Sequence, residues 1–542
     1  MPGKRLLVIV VSLLLGFGSL ALYRSVGWAQ YAGSFRPLTL DLARPDVLIR
    51  TRSLAALPRD LLRVPLARDL LTEEFVFYYE EHPDRLGLKG AIRRIAYEHD
   101  LKWQDQVLAW VLDQPAEIAL WRGATGAPTQ WLAAVTRREL AQVLQEAATV
   151  AMKDRQLSVA GHVKVDGQPV DVYALEYSAQ HTLLIAARGE RVAILSDPGL
   201  LLTAEREARP EAEAVLQRLL SPDVRRQAIY RDAFLLDADY ARHSVAVGTH
   251  LLSFGYQPLF PGFEAVRFDF DDKAWSTHAL LDGTRLPTNA LHDRELWSAL
   301  PANPAACALL PVDWQRTEPM LAAAPEKDGR RPSTLAAEMD GPAGVCWYAQ
   351  GRLHAPLFAA TLKAPRDDLA PLLQDAFSWS VTAPADTDAE ESAPPASDEG
   401  MWQRTVDVPF AGADDAGRPR AAPMNVTLMR KGRYLLFSPD AARVEQAAAA
   451  LSKRYPSLAG MLQDKGITLA VISPRSLSEM AQKEALAMLP AASEPVFRAA
   501  AERQLVPRLA AIKKYPAYRL ALATPPNGAH RWYAVQWQEL RK

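Results

Sequence analysis

One stretch of this chain is written twice, and that duplication restricts the fold more than any other feature. PAEIALWRGATGAPTQWLAAVTRREL at 115–140 returns as PAGVCWYAQGRLHAPLFAATLKAPRDDL at 342–369. In the first copy, alternation from Ala116 to Trp121 predicts a strand, 122–128 a turn, and Trp131 to Val135 a returning strand. Apolar positions at Leu140, Val143, Leu144, Ala147 and Ala148 then fall at helical spacing. The second copy keeps that order: Val345, Trp347 and Tyr348 in a strand, LFAATL at 357–362 answering WLAAVT at 131–136, and Leu369, Leu372, Leu373 and Ala376 in a helix.

The parallel runs on in both directions. VDVYALEY at 170–177 and TLLIAARGERVAILSDP at 182–198 read as strands with a turn at Gly189, followed by a helix over 200–208; 406–408 and 424–440 read the same way with Gly432 at the turn, followed by a helix over 441–454. Each half opens with a short apolar strand before a helix, at 45–62 and 304–321, and each closes with a hairpin-like segment, at 265–281 and 519–537. The expected fold is therefore α+β: two related lobes of antiparallel sheets with packed helices, an internal duplication following one N-terminal transmembrane helix. The expected boundaries are 1–30 for the anchor and a short linker, 31–290 for the first lobe and 291–542 for the second. A helical, aromatic-rich insertion at 73–114 marks the first lobe. The acidic, Pro- and Ser-rich insertion at 382–400 marks the second, and its composition predicts disorder.

The chain's location follows from its start. After Lys4 and Arg5, residues 6–23 carry no charge and as a helix would rise roughly 27 Å, enough to span a bilayer core. The basic pair predicts an inner-membrane, single-pass anchor with the bulk of the chain in the periplasm. The small-x-small triplet Gly27-Trp28-Ala29 offers the alternative of signal cleavage and a soluble periplasmic protein. A formal net charge of -1 gives no global field for nucleic acid. The two cysteines, Cys307 and Cys346, lie in apolar strands, where they could pair in an oxidising compartment or simply fill a core.

No nucleophile elbow, zincin, SxxK or phosphate-loop motif occurs, so no cofactor and no metal is expected. Asp237, Asp239, His243 and His250 offer metal-ligand chemistry, but the two histidines flank a strand at opposite ends, and polar residues at strand ends account for them. Asp84, Glu98 and His99 are the candidates for general acid/base work, against a charged helix face as the simpler account. Tyr78, Tyr79, Trp103, Trp121 and Trp131 form the candidate partner surface, in competition with a role in the core.

The segments FVFYYEEHPDRLG, IRRIAYEHDL and LDQPAEIALW within 74–123 resemble a family of uncharacterised proteobacterial membrane-anchored periplasmic proteins, a domain of unknown function spanning nearly the whole chain. Members are often encoded beside an α2-macroglobulin-like protein. The resemblance implies a non-enzymatic periplasmic binding or scaffold protein, an accessory of an envelope defence system with that macroglobulin-like protein as partner. It supplies no catalytic residues. The alternative is an envelope hydrolase or transferase without a recognisable motif.

Overall fold

The computed structural model describes residues 35–540 outside most of 66–113, all of 137–156, 318–334, 381–398 and 409–421, most of 488–500 and a few shorter segments. Nineteen strands belong to one antiparallel sheet, which makes the described chain mostly β. This corrects the expectation of two α+β lobes with separate sheets. The strands Leu157–Val165 and Ile467–Ile472 were not anticipated, and the leucines at 200–202 do not start a helix. There a 3-10 turn, Pro198–Leu200, is capped by Asp197, and the helix begins only at Pro210. Proline suits that first helical position because it has no N–H to leave unpaired. Among the described residues no helix is long and apolar enough to cross a membrane. The anchor at 6–23, residues 73–113 of the first insertion and residues 382–398 of the second lie outside the described residues, while Glu399 and Gly400, expected in the disordered insertion 382–400, open the strand Glu399–Val408.

Two compact units emerge, Met1–Val64 with Leu71–Leu251 and Arg267–Trp275, and Pro65–Leu70 with Leu252–Val266 and Ser276–Lys542. In the first unit the strands are β1 (Val47–Thr51), β2 (Ala116–Arg122), β3 (Pro128–Thr136), β4 (Leu157–Val165), β5 (Gln168–Ser178), β6 (His181–Arg188), β7 (Arg191–Leu195) and β8 (His243–Gly248). They pair in the order β8-β1-β2-β3-β7-β6-β5-β4. Next in the chain are β9 (Phe263–Phe270) and β10 (Trp275–Leu281), of which only Arg267–Phe270 and Trp275 belong to the first unit.

The second unit contains β11 (Ala306–Leu310), β12 (Met339–Trp347), β13 (Leu357–Leu362), β14 (Glu399–Val408), β15 (Ala422–Lys431), β16 (Tyr434–Ser438), β17 (Ile467–Ile472), β18 (Tyr518–Leu522) and β19 (Arg531–Glu539). Their order β17-β11-β12-β13-β16-β15-β14 repeats that of β8 through β5. Even the hairpins agree. Gly189 joins β6 to β7 and Gly432 joins β15 to β16, both at positive φ (54° and 58°) at the first position of a two-residue loop. That is the type II′ geometry that matches strand twist, and a side chain there would be strained.

Burial follows the alternation. Helix Pro210–Leu219 buries Ala212, Val215, Leu216 and Leu219, the one-sided spacing of a helix lying on a sheet. In the second unit helix Ala441–Leu451, its start capped by the Asp440 carboxylate accepting from Ala442 N, sets Val444, Ala447 and Ala448 against Leu309, Leu357, Ala359 and Leu436. Cys307 and Cys346 lie directly opposite each other on β11 and β12, inside the same cluster, and are joined as a disulfide.

Candidate functional site

β1 places an arginine in the middle of an apolar strand, and the sheet register decides what it meets. Arg50 lies opposite Glu117 on β2, Glu117 opposite Ala134 on β3; two residues further along β3, Thr136 lies opposite Arg191 on β7. Directly opposed residues share a face of the sheet. The methyl of Ala134 leaves space between two charged rows, and a cavity of about 220 Å³ opens there. Arg231, on the short helix Ile229–Ala233, and Val224, Gln227, Ala238 and Tyr240 complete its wall.

Three arginines and one carboxylate line this space, leaving two positive charges in excess. Each guanidinium is held in place by the backbone or by a neighbour. Arg50 donates from Nη1 to Asp237 O (3.0 Å) and from Nη2 to Ala238 O (3.3 Å), and stacks 3.9 Å from the Tyr240 ring centroid. Arg191 donates from Nε to Leu219 O (3.1 Å) and from Nη1 to the Thr136 hydroxyl. The pairings with Glu117 Oε1 are looser, 3.4 Å from Arg50 Nε and 3.9 Å from Arg231 Nε. Charge-assisted hydrogen bonds are shorter, about 2.7–2.9 Å. Burial, opposed by Arg50, Arg231 and Arg191, holds the Glu117 carboxyl above its ordinary pKa, and burial also lowers the pKa of Arg50 and Arg191.

The second unit shows the same scaffold without this chemistry. Counted from the β11–β12 and β12–β13 registers, Arg50, Glu117 and Ala134 correspond to Leu309, Gly344 and Ala359. Thr136 and Arg191 correspond to Thr361 and Tyr434. Leu309 and Ala359 are core residues, Tyr434 packs against them, and a Cβ on Gly344 would come within 3.2 Å of Leu300. One strand order therefore supports a filled apolar core in one unit and a charged cavity in the other.

On the opposite face of β1, Thr51 meets a second polar group. His243 Nε2 lies 3.0 Å from Asp60 Oδ2 and Nδ1 lies 2.8 Å from the Thr51 hydroxyl, and all three residues are fully buried. With Asp60 ionised, Nε2 carries a proton toward it, while the Thr51 hydroxyl donates to Ser53 O at 2.7 Å and accepts from Ser53 N at 3.0 Å. Carboxylate, imidazole and hydroxyl have the order of a hydrolase triad, but the hydroxyl has no access to solvent. The arrangement ties β1 and β8 to helix Ala56–Leu61. His243 is thus an interior residue, not the exposed strand end that the sequence implies. Burial lowers its pKa, partly opposed by Asp60; burial raises that of Asp60, but His243, Arg242 and Arg59 outweigh it and the net shift is downward.

The other sequence candidates do not converge. Asp84, Glu98, His99, Tyr78, Tyr79 and Trp103 lie outside the described residues. Trp121 is buried, donating from Nε1 to Asp41 O at 2.9 Å with Tyr230 against its edge, whereas Trp131 is half-buried on β3. His250 pairs with Asp46, and Asp239 with Arg52 at 3.8 Å, so neither shares an ion with His243. In the second unit His530 bridges Glu264 (2.8 Å) and Asp282 (3.3 Å), with Arg285 beside both carboxylates. Both ring nitrogens and a guanidinium already answer those charges. A larger depression, about 450 Å³, lies along the β18–β19 hairpin between Thr524 and Ala534, with Arg531 as its one charged lining residue.

Arg50, Glu117, Arg191 and Arg231 were not singled out from sequence. The available signal was a charged residue in the interior of a short apolar strand, Arg50 in VLIRT and Glu117 in AEIALWR.

Residues 5–537 match a family described as "Uncharacterized protein conserved in bacteria (DUF2138)". The chain is similar to the Uncharacterized protein YfaA of Escherichia coli (strain K12), 32% identical over 555 residues, covering 97% of this chain and 98% of that protein. No solved structure matches.

Proposed function

Because the chain belongs to the DUF2138 family of bacterial proteins, we propose that it is a non-enzymatic binding or scaffold protein of the cell envelope, anchored in the inner membrane by residues 6–23. In this reading the rest of the chain stands in the periplasm and serves as an accessory of an α2-macroglobulin-like defence system. The observation that carries the binding reading is the cavity of the first unit. Its wall is made of oriented arginines, a carboxylate, an amide and a phenol ring, groups that hold a ligand. The described Asp60–His243–Thr51 relay supports it from the other side, since its hydroxyl is sealed in the interior. The disulfide fits an oxidising compartment, and the uncharged run behind Lys4 and Arg5 fits an anchor.

A photo-crosslinking residue at Val224, which is 66% exposed on the cavity rim, tests the reading in the full-length chain in living cells. The expected result is one discrete adduct with an envelope component, a macroglobulin-like protein first among the candidates. The same group at Leu353, 57% exposed in the second unit, should not give it. Absence of an adduct at Val224 would sink the reading. Release of a chemically altered product in its place would turn it toward an envelope hydrolase or transferase.

A further inference from the structure

We infer that the arginine cavity of the first unit binds a doubly charged tetrahedral oxyanion, a phosphate or sulfate group, either free or as the end of a larger ester. This rests on the binding reading and names its ligand chemistry. Charge comes first: Arg50, Arg191 and Arg231 against Glu117 leave an excess of two, which a dianion cancels and a simple carboxylate only halves. Such an excess is costly where water is scarce, and the Arg50 side chain is only 3% exposed. The sheet does not require it, because the corresponding positions Leu309, Gly344 and Tyr434 build a closed apolar core on the same strand order.

Geometry comes second. The guanidiniums approach from three elements, β1, β7 and helix Ile229–Ala233. Planar forks from several directions match an acceptor with oxygens on all sides. Their looseness toward Glu117, at 3.4 and 3.9 Å, leaves the carboxylate a poor substitute for such a ligand. The volume of about 220 Å³ suits a single charged group better than a whole cofactor, whose pockets run from about 300 Å³ upward.

Glu117 makes the binding respond to acid. The groups facing it are Arg50 from β1, Arg191 from β7, Arg231 and Tyr230 from the short helix, and Tyr240 from the segment before β8. Neutralising the carboxylate raises the positive excess, so anion affinity should rise as pH falls. Sulfate is the probe for this, because it stays doubly charged while phosphate titrates.

Calorimetry on the full-length protein, at constant ionic strength, would compare inorganic sulfate, inorganic phosphate, glycerol 3-phosphate and acetate. Sulfate and phosphate should bind and acetate should not. A tighter glycerol 3-phosphate would mark the end of a larger ester, and a tighter inorganic phosphate the free ion. Arg191→Ala should weaken sulfate roughly tenfold or more, and Arg191→Lys, which keeps the charge and the fold but not the fork, should weaken it by less. Glu117→Gln should strengthen it and flatten its pH profile. Sulfate and phosphate binding no better than acetate would overturn the inference. In that event a surviving Val224 adduct would show that the binding reading stands with a different ligand, and its loss as well would end both.

Discussion

Replacing Asp60 with alanine is expected to cost the first unit about 3–5 kcal/mol, the penalty for removing one partner of a buried charge network. Asp60 is fully buried and answers His243 at 3.0 Å, Arg242 at 3.2 Å, and the more exposed Arg59 and Arg63 at 3.5 and 3.9 Å. Without it the imidazole, packed 4.9 Å from the Phe270 ring, loses the acceptor for Nε2 while remaining sealed from water. The pH dependence has a definite sign. Asp60 and His243 both have pKa values below their ordinary 3.8 and 6.5, so the folded state binds fewer protons than the unfolded chain. Stability is therefore complete above the ordinary histidine range. It is lost as pH falls, first toward the lowered His243 value and then through that of Asp60. Denaturant unfolding at neutral and acid pH would measure this. Asp60→Asn should lose the lower limb of the acid dependence, and an Asp60→Ala protein as stable as the parent would show that the network contributes nothing.

Loss of the disulfide is the other large effect. Cys307 and Cys346 close a loop with a sequence separation of 39, for which the chain-entropy relation gives about 4 kcal/mol. Alanine at both positions removes this constraint and also trims two residues from the core beneath helix Ala441–Leu451, so the cost should fall on the second unit. Oxidised and reduced protein should show a wide separation in the denaturant midpoint of a second-unit probe such as Trp402, with a first-unit probe unmoved. Coincident midpoints would mean that the packing of β11 on β12 suffices without the bond.

The hairpins were legible because each writes its own period. Alternation in AEIALWR and VCWY and a glycine at each tight turn fix local structure without help from distant residues. What failed was what depends on pairing. The resemblance of WLAAVT to LFAATL aligns Leu132 with Phe358, yet Leu132 faces Ala119 while Leu357, not Phe358, faces Cys346. The two turns differ in length, and a slip of one residue exchanges the faces of a strand. The helix read over 200–208 failed for a different reason: Asp197 caps a 3-10 turn, and Pro210 sets the real start ten residues beyond the first leucine. The cavity was hidden because its parts come from β1, β2, β7 and a helix near residue 230, and only the register makes them neighbours.

That register also sets an order of events. β1 joins β2 on one edge and β8 on the other, and His243 reaches Asp60 across a sequence separation of 183. Contacts so distant are slow to close, since the intervening chain must be gathered first. Until β8 arrives, the apolar strand VLIRT presents a bare edge, and Asp60 remains a solvated carboxylate near its ordinary pKa. A chain emerging from its N-terminus cannot seal the first unit before residue 248 is available. The second unit obeys the same rule, because the free edge of β11 waits for β17, where Ala306 pairs with Ile472 across a sequence separation of 166, so neither unit should resist proteolysis during refolding until its late strand has docked.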